Sequence, residues 1–150
     1  MNDFGFVVDG IPTAKGRPRF TSVGGFARTY TPAKTKYAEG MIEYIASNAM
    51  QANSNFLLLV EPLIVFIEFR MPIPKSFSKA KVLGCQCGSI VPTVKPDADN
   101  LAKTVLDAMN KTVYRDDSQI VDLIVRKRYA DKPCTIVSIK EFKNQGNYYL

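Results

Sequence analysis

Short stretches of alternating apolar residues, two longer stretches with helical spacing, and a length suited to one hydrophobic core predict the fold class. It is α/β (α+β), a small single domain with two main helices on a mixed or antiparallel sheet. A chain of 150 residues buries roughly two thirds of its unfolded surface without help from disulfides.

Phe4–Asp9, apolar and β-branched and closed by Gly10 and Pro12, reads as a first strand. In the basic stretch that follows, Gly24-Gly25 is placed to turn a hairpin between residues 19 to 23 and 26 to 30. Thr31 and Pro32 then supply a hydroxyl cap and a proline for the first helical position, and Ala38, Met41, Ile42, Ile45 and Ala49 recur at helical spacing. A helix is therefore expected over residues 32 to 51, ending where residues 53 to 55 supply turn chemistry. Residues 61 to 71 alternate through Leu63, Val65, Ile67 and Phe69 as a half-buried strand does, until Pro72 and Pro74 stop it. Residues 72 to 94 mix proline, glycine, serine and lysine without a period and are expected to be a loop. Leu101, Val105, Ala108 and Met109 make a core-facing stripe on a second helix, which Asp99 is placed to cap. Residues 119 to 130 and 135 to 142 read as two strands, expected antiparallel, joined by a turn at residues 131 to 133.

Composition removes several function classes. Cys85, Cys87 and Cys134 have neither a fourth cysteine nor any histidine beside them, so the common structural zinc sites are excluded and the thiols read as reduced, in a cytoplasmic protein. The absence of histidine also excludes Ser-His-Asp and Cys-His hydrolases and histidine-metal nucleases. No secretory pattern opens the chain, and the longest apolar run, residues 56 to 60, is too short for a bilayer, so no membrane partner is expected. Chemistry must run on carboxylates, lysine, tyrosine or a metal, with no organic cofactor implied.

Twenty Lys plus Arg against 14 Asp plus Glu leave a net charge of +6, the balance of a protein that meets a polyanion such as nucleic acid. Lys15, Arg17, Arg19 and Arg28 lie in and before the expected hairpin, where a β-ribbon carrying arginines grips phosphates. Lys75, Lys79 and Lys81 in the loop, and Arg126, Lys127 and Arg128 on a strand, fit either a DNA-facing or an ordinary solvated surface.

Against this basic background, residues 95 to 117 gather Asp97, Asp99, Asp107, Asp116 and Asp117 around Lys103. Clustered carboxylates repel one another, and a hard divalent cation relieves the repulsion. Asp97 and Asp99 converge from one short segment, whereas Asp116 and Asp117 follow the helix and must be carried back to its start for a site to close. Carboxylates so gathered hold Mg²⁺, with Mn²⁺ as the alternative, lowering the pKa of a water and neutralising a scissile phosphate. Lys103 then serves as a cationic stabiliser. The competing reading makes each aspartate a cap or a solvated acid and Lys103 an i, i+4 partner of Asp99 or Asp107, worth about 0.3–0.5 kcal/mol.

The strings KPDADNLAK, LDAMN and DDSQIVD resemble the pattern D-x-D-N-L-x-K, D-A and D-D-x-Q-[VI]-V-D of the RusA family of Holliday junction resolvases, over residues 95 to 122. GIPTAKGRPRF is similar to the K-x-R-P segment of members from Gram-positive bacteria and their phages, which implies a bacterial or phage-encoded protein. The resemblance implies a RusA-like fold and a homodimeric, Mg²⁺-dependent endonuclease that places paired nicks on a four-way DNA junction in recombination and repair. It puts catalysis on Asp97, Asp99, Lys103 and Asp117, with Asp107 and Asp122 in supporting positions. The segment between Lys103 and Asp117 is one residue shorter than the family pattern, so Asp116 stays open beside Asp117 as a ligand. Two other readings stand beside the resolvase: a nuclease for other branched or flapped DNA, and a non-enzymatic basic DNA-binding module. A Ca²⁺-binding loop is disfavoured, because D-A-D-N lacks the glycine and glutamate of an EF-hand.

Overall fold

The computed structural model describes residues 3–54 and 57–144. Strand β1 (Phe4–Asp9) leads into a small ribbon of β2 (Arg19–Thr21) and β3 (Arg28–Tyr30), then helix α1 (Ala33–Ser54) and strand β4 (Leu63–Pro72). Helices α2 (Lys79–Gln86) and α3 (Ala98–Met109) follow, and β5 (Ile120–Ala130) and β6 (Cys134–Glu141) complete the chain. The expected α+β class is observed.

Among the described residues the main sheet has the order β1-β6-β4-β5, with β4 parallel to β5 and the other neighbours antiparallel. Along β4 the side chains of Leu63, Val65, Ile67, Phe69 and Met71 alternate inward and are buried. The paired register puts Ile139 beside Val65 and Phe4 beside Ile139, so one face of the sheet collects the core. Helices α1 and α3 cover that face, burying Ile42, Ala46 and Met50 from the first and Leu101, Val105, Ala108 and Met109 from the second. No helix among the described residues is long and apolar enough to cross a membrane.

Four expectations need correction. The hairpin of the last two strands is not formed: β5 and β6 run in opposite directions, but β4 lies between them. Residues 131 to 133, at about 3.3 Å each, reach across roughly two strand spacings, so the short connection steps over one strand. Residues 72 to 94, expected to be a loop, contain α2, started by Ser78, whose side chain accepts from the Lys81 N–H at 3.3 Å. Eight residues are too few to display a helical period, and Gly84 obscures it further. The glycine lets Ile90 pack closely on the helix, since a Cβ there would lie 2.6 Å from Ile90 Cδ1 and would displace that side chain. The cap of α3 is Asp97 rather than Asp99, because the stripe of buried residues fixes the phase of a helix but not its first turn. Helix α1 starts at Ala33 and runs on to Ser54, whose hydroxyl donates to the Met50 carbonyl at 3.1 Å. Residue 55 of its expected terminus lies outside the described residues.

Candidate active site

Helix α3 is strongly two-sided. Its apolar side packs on the sheet, and Asp99, Lys103 and Asp107, spaced by four, line one edge over about 12 Å of axis. Asp97 sits ahead of it in an extended conformation, φ −70° and ψ 145°, and its carbonyl accepts the Leu101 N–H at 3.1 Å. Its carboxylate makes no capping hydrogen bond.

The return of the next acidic pair depends on a buried tyrosine and a glutamine. Tyr114 is fully buried, and its hydroxyl donates to the Leu106 carbonyl at 2.8 Å, tying the loop back onto α3. Burial, and after it the negative charges of Asp117, Asp107 and Asp116, push this phenol well above its ordinary range, so it stays neutral. Gln119 donates its side-chain amide to the carbonyls of Leu59 at 3.1 Å and Glu61 at 3.0 Å, and its oxygen accepts the Asp116 N–H at 2.8 Å. The backbone of Leu59 adds two more bonds, donating to Val113 at 2.9 Å and accepting from Arg115 at 3.3 Å. The loop carrying the acidic pair is thereby fixed between α3 and the lead-in to β4.

The two adjacent acids have different employment. Asp116 caps a 3₁₀ turn at Asp117–Gln119, accepting from the Ser118 hydroxyl and from its N–H at 3.1 Å, and lies 3.7 Å from Lys111. The Ser118 bonds, and secondarily Lys111, hold its carboxyl below the usual range. Asp117 instead faces a cavity of about 330 Å³ between α3 and β5, together with Asp99, Lys103 and Asp107, with Leu106, Leu123 and Val125 as apolar walls. Asp97 lies on the other side of the helix start, in the wall of a larger cavity of about 930 Å³. Among the described residues no three acidic, cysteine or histidine side chains converge closely enough to hold an ion by themselves.

Charge pairing sorts the five aspartates of this segment. Asp107 is paired with Lys15 at 3.0 Å and with Lys103 at 4.0 Å, and Asp116 with Lys111. Asp97, Asp99 and Asp117 enter no ion pair among the described residues. Glu43, Glu61 and Asp122 likewise enter no ion pair among the described residues, so what sets Asp97, Asp99 and Asp117 apart is their gathering around the start of α3 and the cavity beside it.

Of the basic residues, Lys15 has its ammonium between Glu39 and Asp107, and its backbone N–H donates to the Asn100 carbonyl at 2.9 Å. Burial works against its charge, but the bonds to Glu39 and Asp107 outweigh it and hold the ammonium above its ordinary range. Arg17 and Arg19 line the larger cavity. On the ribbon, Arg19 pairs with Tyr30 and Thr21 with Arg28, which sets both arginines on one face and the 77% exposed Phe20 on the other. Gly16 fixes where this basic segment leaves the core: its N–H donates to Thr35 Oγ1 at 2.8 Å, and a Cβ would lie 2.8 Å from that oxygen and 2.9 Å from Pro32 Cγ. Sequence reasoning passed over Tyr114, Gln119 and Thr35. Gln119 was visible in the D-D-x-Q string, but its role depends on Leu59 and Glu61, about sixty residues away.

The chain is 38% identical over 143 residues to YqaN of Bacillus subtilis (strain 168), itself uncharacterized, across 94% of this chain and 98% of that protein. The family model for endodeoxyribonuclease RusA matches residues 9–140, which take in the basic segment, α3 and both acidic motifs. The chain belongs to the RusA endodeoxyribonuclease family.

Proposed function

We propose that this protein resolves four-way DNA junctions by Mg²⁺-dependent paired nicking, with Mn²⁺ as a substitute, and that it acts as a homodimer in recombination and repair. The observation that carries the reading is the set of three unpaired carboxylates, Asp97, Asp99 and Asp117, at the start of α3 and in the cavity beside it. Their donor chemistry fits Mg²⁺, a hard ion that takes one or two carboxylates and completes its shell with water and substrate phosphate. No three-carboxylate cage is needed for such a site.

Asp99 and Asp117, which line one cavity, would hold the ion directly, and Asp97, across the helix start, would hold it through a water; the ion would supply charge neutralisation at the scissile phosphate and a water of lowered pKa. The reaction joins the water oxygen to phosphorus and breaks one P–O ester bond, with a proton returned to the leaving oxygen. Lys103, its side chain 62% exposed and held only loosely at 4.0 Å from Asp107, is free to swing toward the phosphate and stabilise the developing charge. Lys15 neutralises Asp107 from the core side and keeps that carboxylate from competing for Lys103. Arg17, Arg19 and Arg28 supply phosphate contacts along the flanking strands, and binding should weaken steeply with salt. Two symmetric cuts call for two identical sites related by a two-fold axis. The sheet face opposite α1 and α3, with Val7, Phe66 and Ile124 among its side chains, offers surface for a second copy.

Incubation with a synthetic four-way junction and with linear duplex, with and without Mg²⁺, tests the reading. Paired symmetric nicks on the junction are expected, and Asp97→Asn should bind the junction without cutting it. Cutting of flapped DNA in preference to the junction would favour the broader branched-DNA nuclease, and no cutting by either protein the binding module.

A further inference from the structure

The larger cavity shares Asp97, Arg17 and Arg19 with the chemistry above, but that chemistry gives its apolar walls no role. It opens beside Asp97, between the basic segment, the end of β4 and the residues that precede α3, and has a volume of about 930 Å³. Its walls are mostly apolar, with Ile11, Met71, Val94, Pro96 and Tyr129 among them. Cations also line it, namely Arg17, Arg19, Lys34, Lys95 and Lys127, against the single acid Asp97. The floor is anchored from several directions: Lys127 donates to the Val94 carbonyl at 2.7 Å, Gly16 to Thr35 at 2.8 Å, and the Lys15 N–H to Asn100 at 2.9 Å.

An apolar hollow with an aromatic wall and a cationic lining matches a nucleotide, whose base is flat and apolar on its faces and whose phosphate is anionic. Duplex DNA presents its phosphates but keeps its bases stacked, so a hollow of this depth is useful only for a base that has left the stack. Branch points supply such bases at low cost, since pairing and stacking are already interrupted there. We propose that this cavity receives one unstacked base of the DNA strand beside the cut, with Tyr129 against the ring and Arg17, Arg19 and Lys34 on the neighbouring phosphates. The inference rests on the nuclease reading, because Asp97 in the cavity wall is what sets the pocket next to the scissile phosphate. It gives the protein a means of placing the cut relative to the branch point that is separate from the charge contacts, since a base leaves the stack cheaply there and not in linear duplex, whichever base it is.

Four-way junctions carrying 5-iodouracil at one position at a time near the branch point test this, irradiated in complex with the wild-type protein without divalent metal. A cross-link mapped by mass spectrometry to Tyr129 is expected from one position adjacent to the cut. Val94 is 65% exposed, so Val94→Trp should fold normally while filling the pocket mouth. It should abolish that cross-link and weaken junction binding by about fivefold, the low end of what one stacked base contributes. Cross-links confined to residues outside the cavity, or a Val94→Trp protein with unchanged yield and affinity, overturn the proposal. Mg²⁺-dependent cutting without the Tyr129 cross-link refutes the pocket alone, and the cross-link without cutting refutes the nuclease reading.

Discussion

Replacing Lys15 by methionine separates a structural lysine from a DNA-binding one. The side chain is 20% exposed and is shared by Glu39, 23% exposed, and Asp107, 31% exposed. A hydrogen bond involving a charged group contributes about 1.5–3 kcal/mol when shielded, and partial solvent access reduces this. Methionine keeps the apolar stem but leaves two carboxylates facing each other, so a loss of roughly 2 kcal/mol is expected. At 2–4 °C per kcal/mol for a domain of this size, the midpoint of thermal unfolding should fall by about 4–8 °C. The pH dependence has a definite sign. The folded pKa of Lys15 lies above the ordinary 10.5, so its stabilisation is fully present below that value and is lost as pH rises through the folded pKa. The gap between wild type and variant should therefore be constant around neutral pH and close as pH rises into alkali. Circular dichroism melts at neutral and alkaline pH provide the measurement, paired with salt titrations of binding to linear duplex. The reasoning fails if the variant melts like wild type and instead lowers the slope of log K against log salt by about one, the signature of a lost phosphate contact.

Gly16→Ala should cost about 1–3 kcal/mol in a denaturant titration, since the new methyl group meets Thr35 Oγ1 and Pro32 Cγ below 3.0 Å; an unchanged midpoint would mean that the ribbon root shifts freely. Tyr114→Phe should lose about 1 kcal/mol, because the Leu106 carbonyl keeps the Asn110 N–H at 3.1 Å; a loss several times larger would reveal a loop that collapses without the hydroxyl. Asp117→Asn should abolish junction cutting while Asp116→Asn retains most of it, as its carboxylate serves Ser118 and Lys111; equal loss in a gel assay would contradict the division of labour.

Local pattern carried much of this protein. Period-two alternation from Leu63 to Phe69 and the Leu101, Val105, Ala108, Met109 stripe located strand and helix, because a half-buried element shows its period directly in the chain. The acidic strings around Lys103 are equally plain, and by themselves they carry the resemblance to the RusA family. Strand order was not legible: the same apolar spacing suits a hairpin of β5 and β6 or the observed insertion of β4 between them, and only competition among all strands for neighbours decides. Helix α2 was hidden by its length, and the cap of α3 by a choice between two aspartates two residues apart. Charge employment was furthest from reach. That Lys15 is spent on Glu39 and Asp107, and Asp116 on Ser118, while Asp97, Asp99 and Asp117 stay unpaired, follows from distances between segments remote in the chain. A carboxylate's identity is written in the sequence, but its partner is set by the packing that brings a cation near it or leaves it to the solvent.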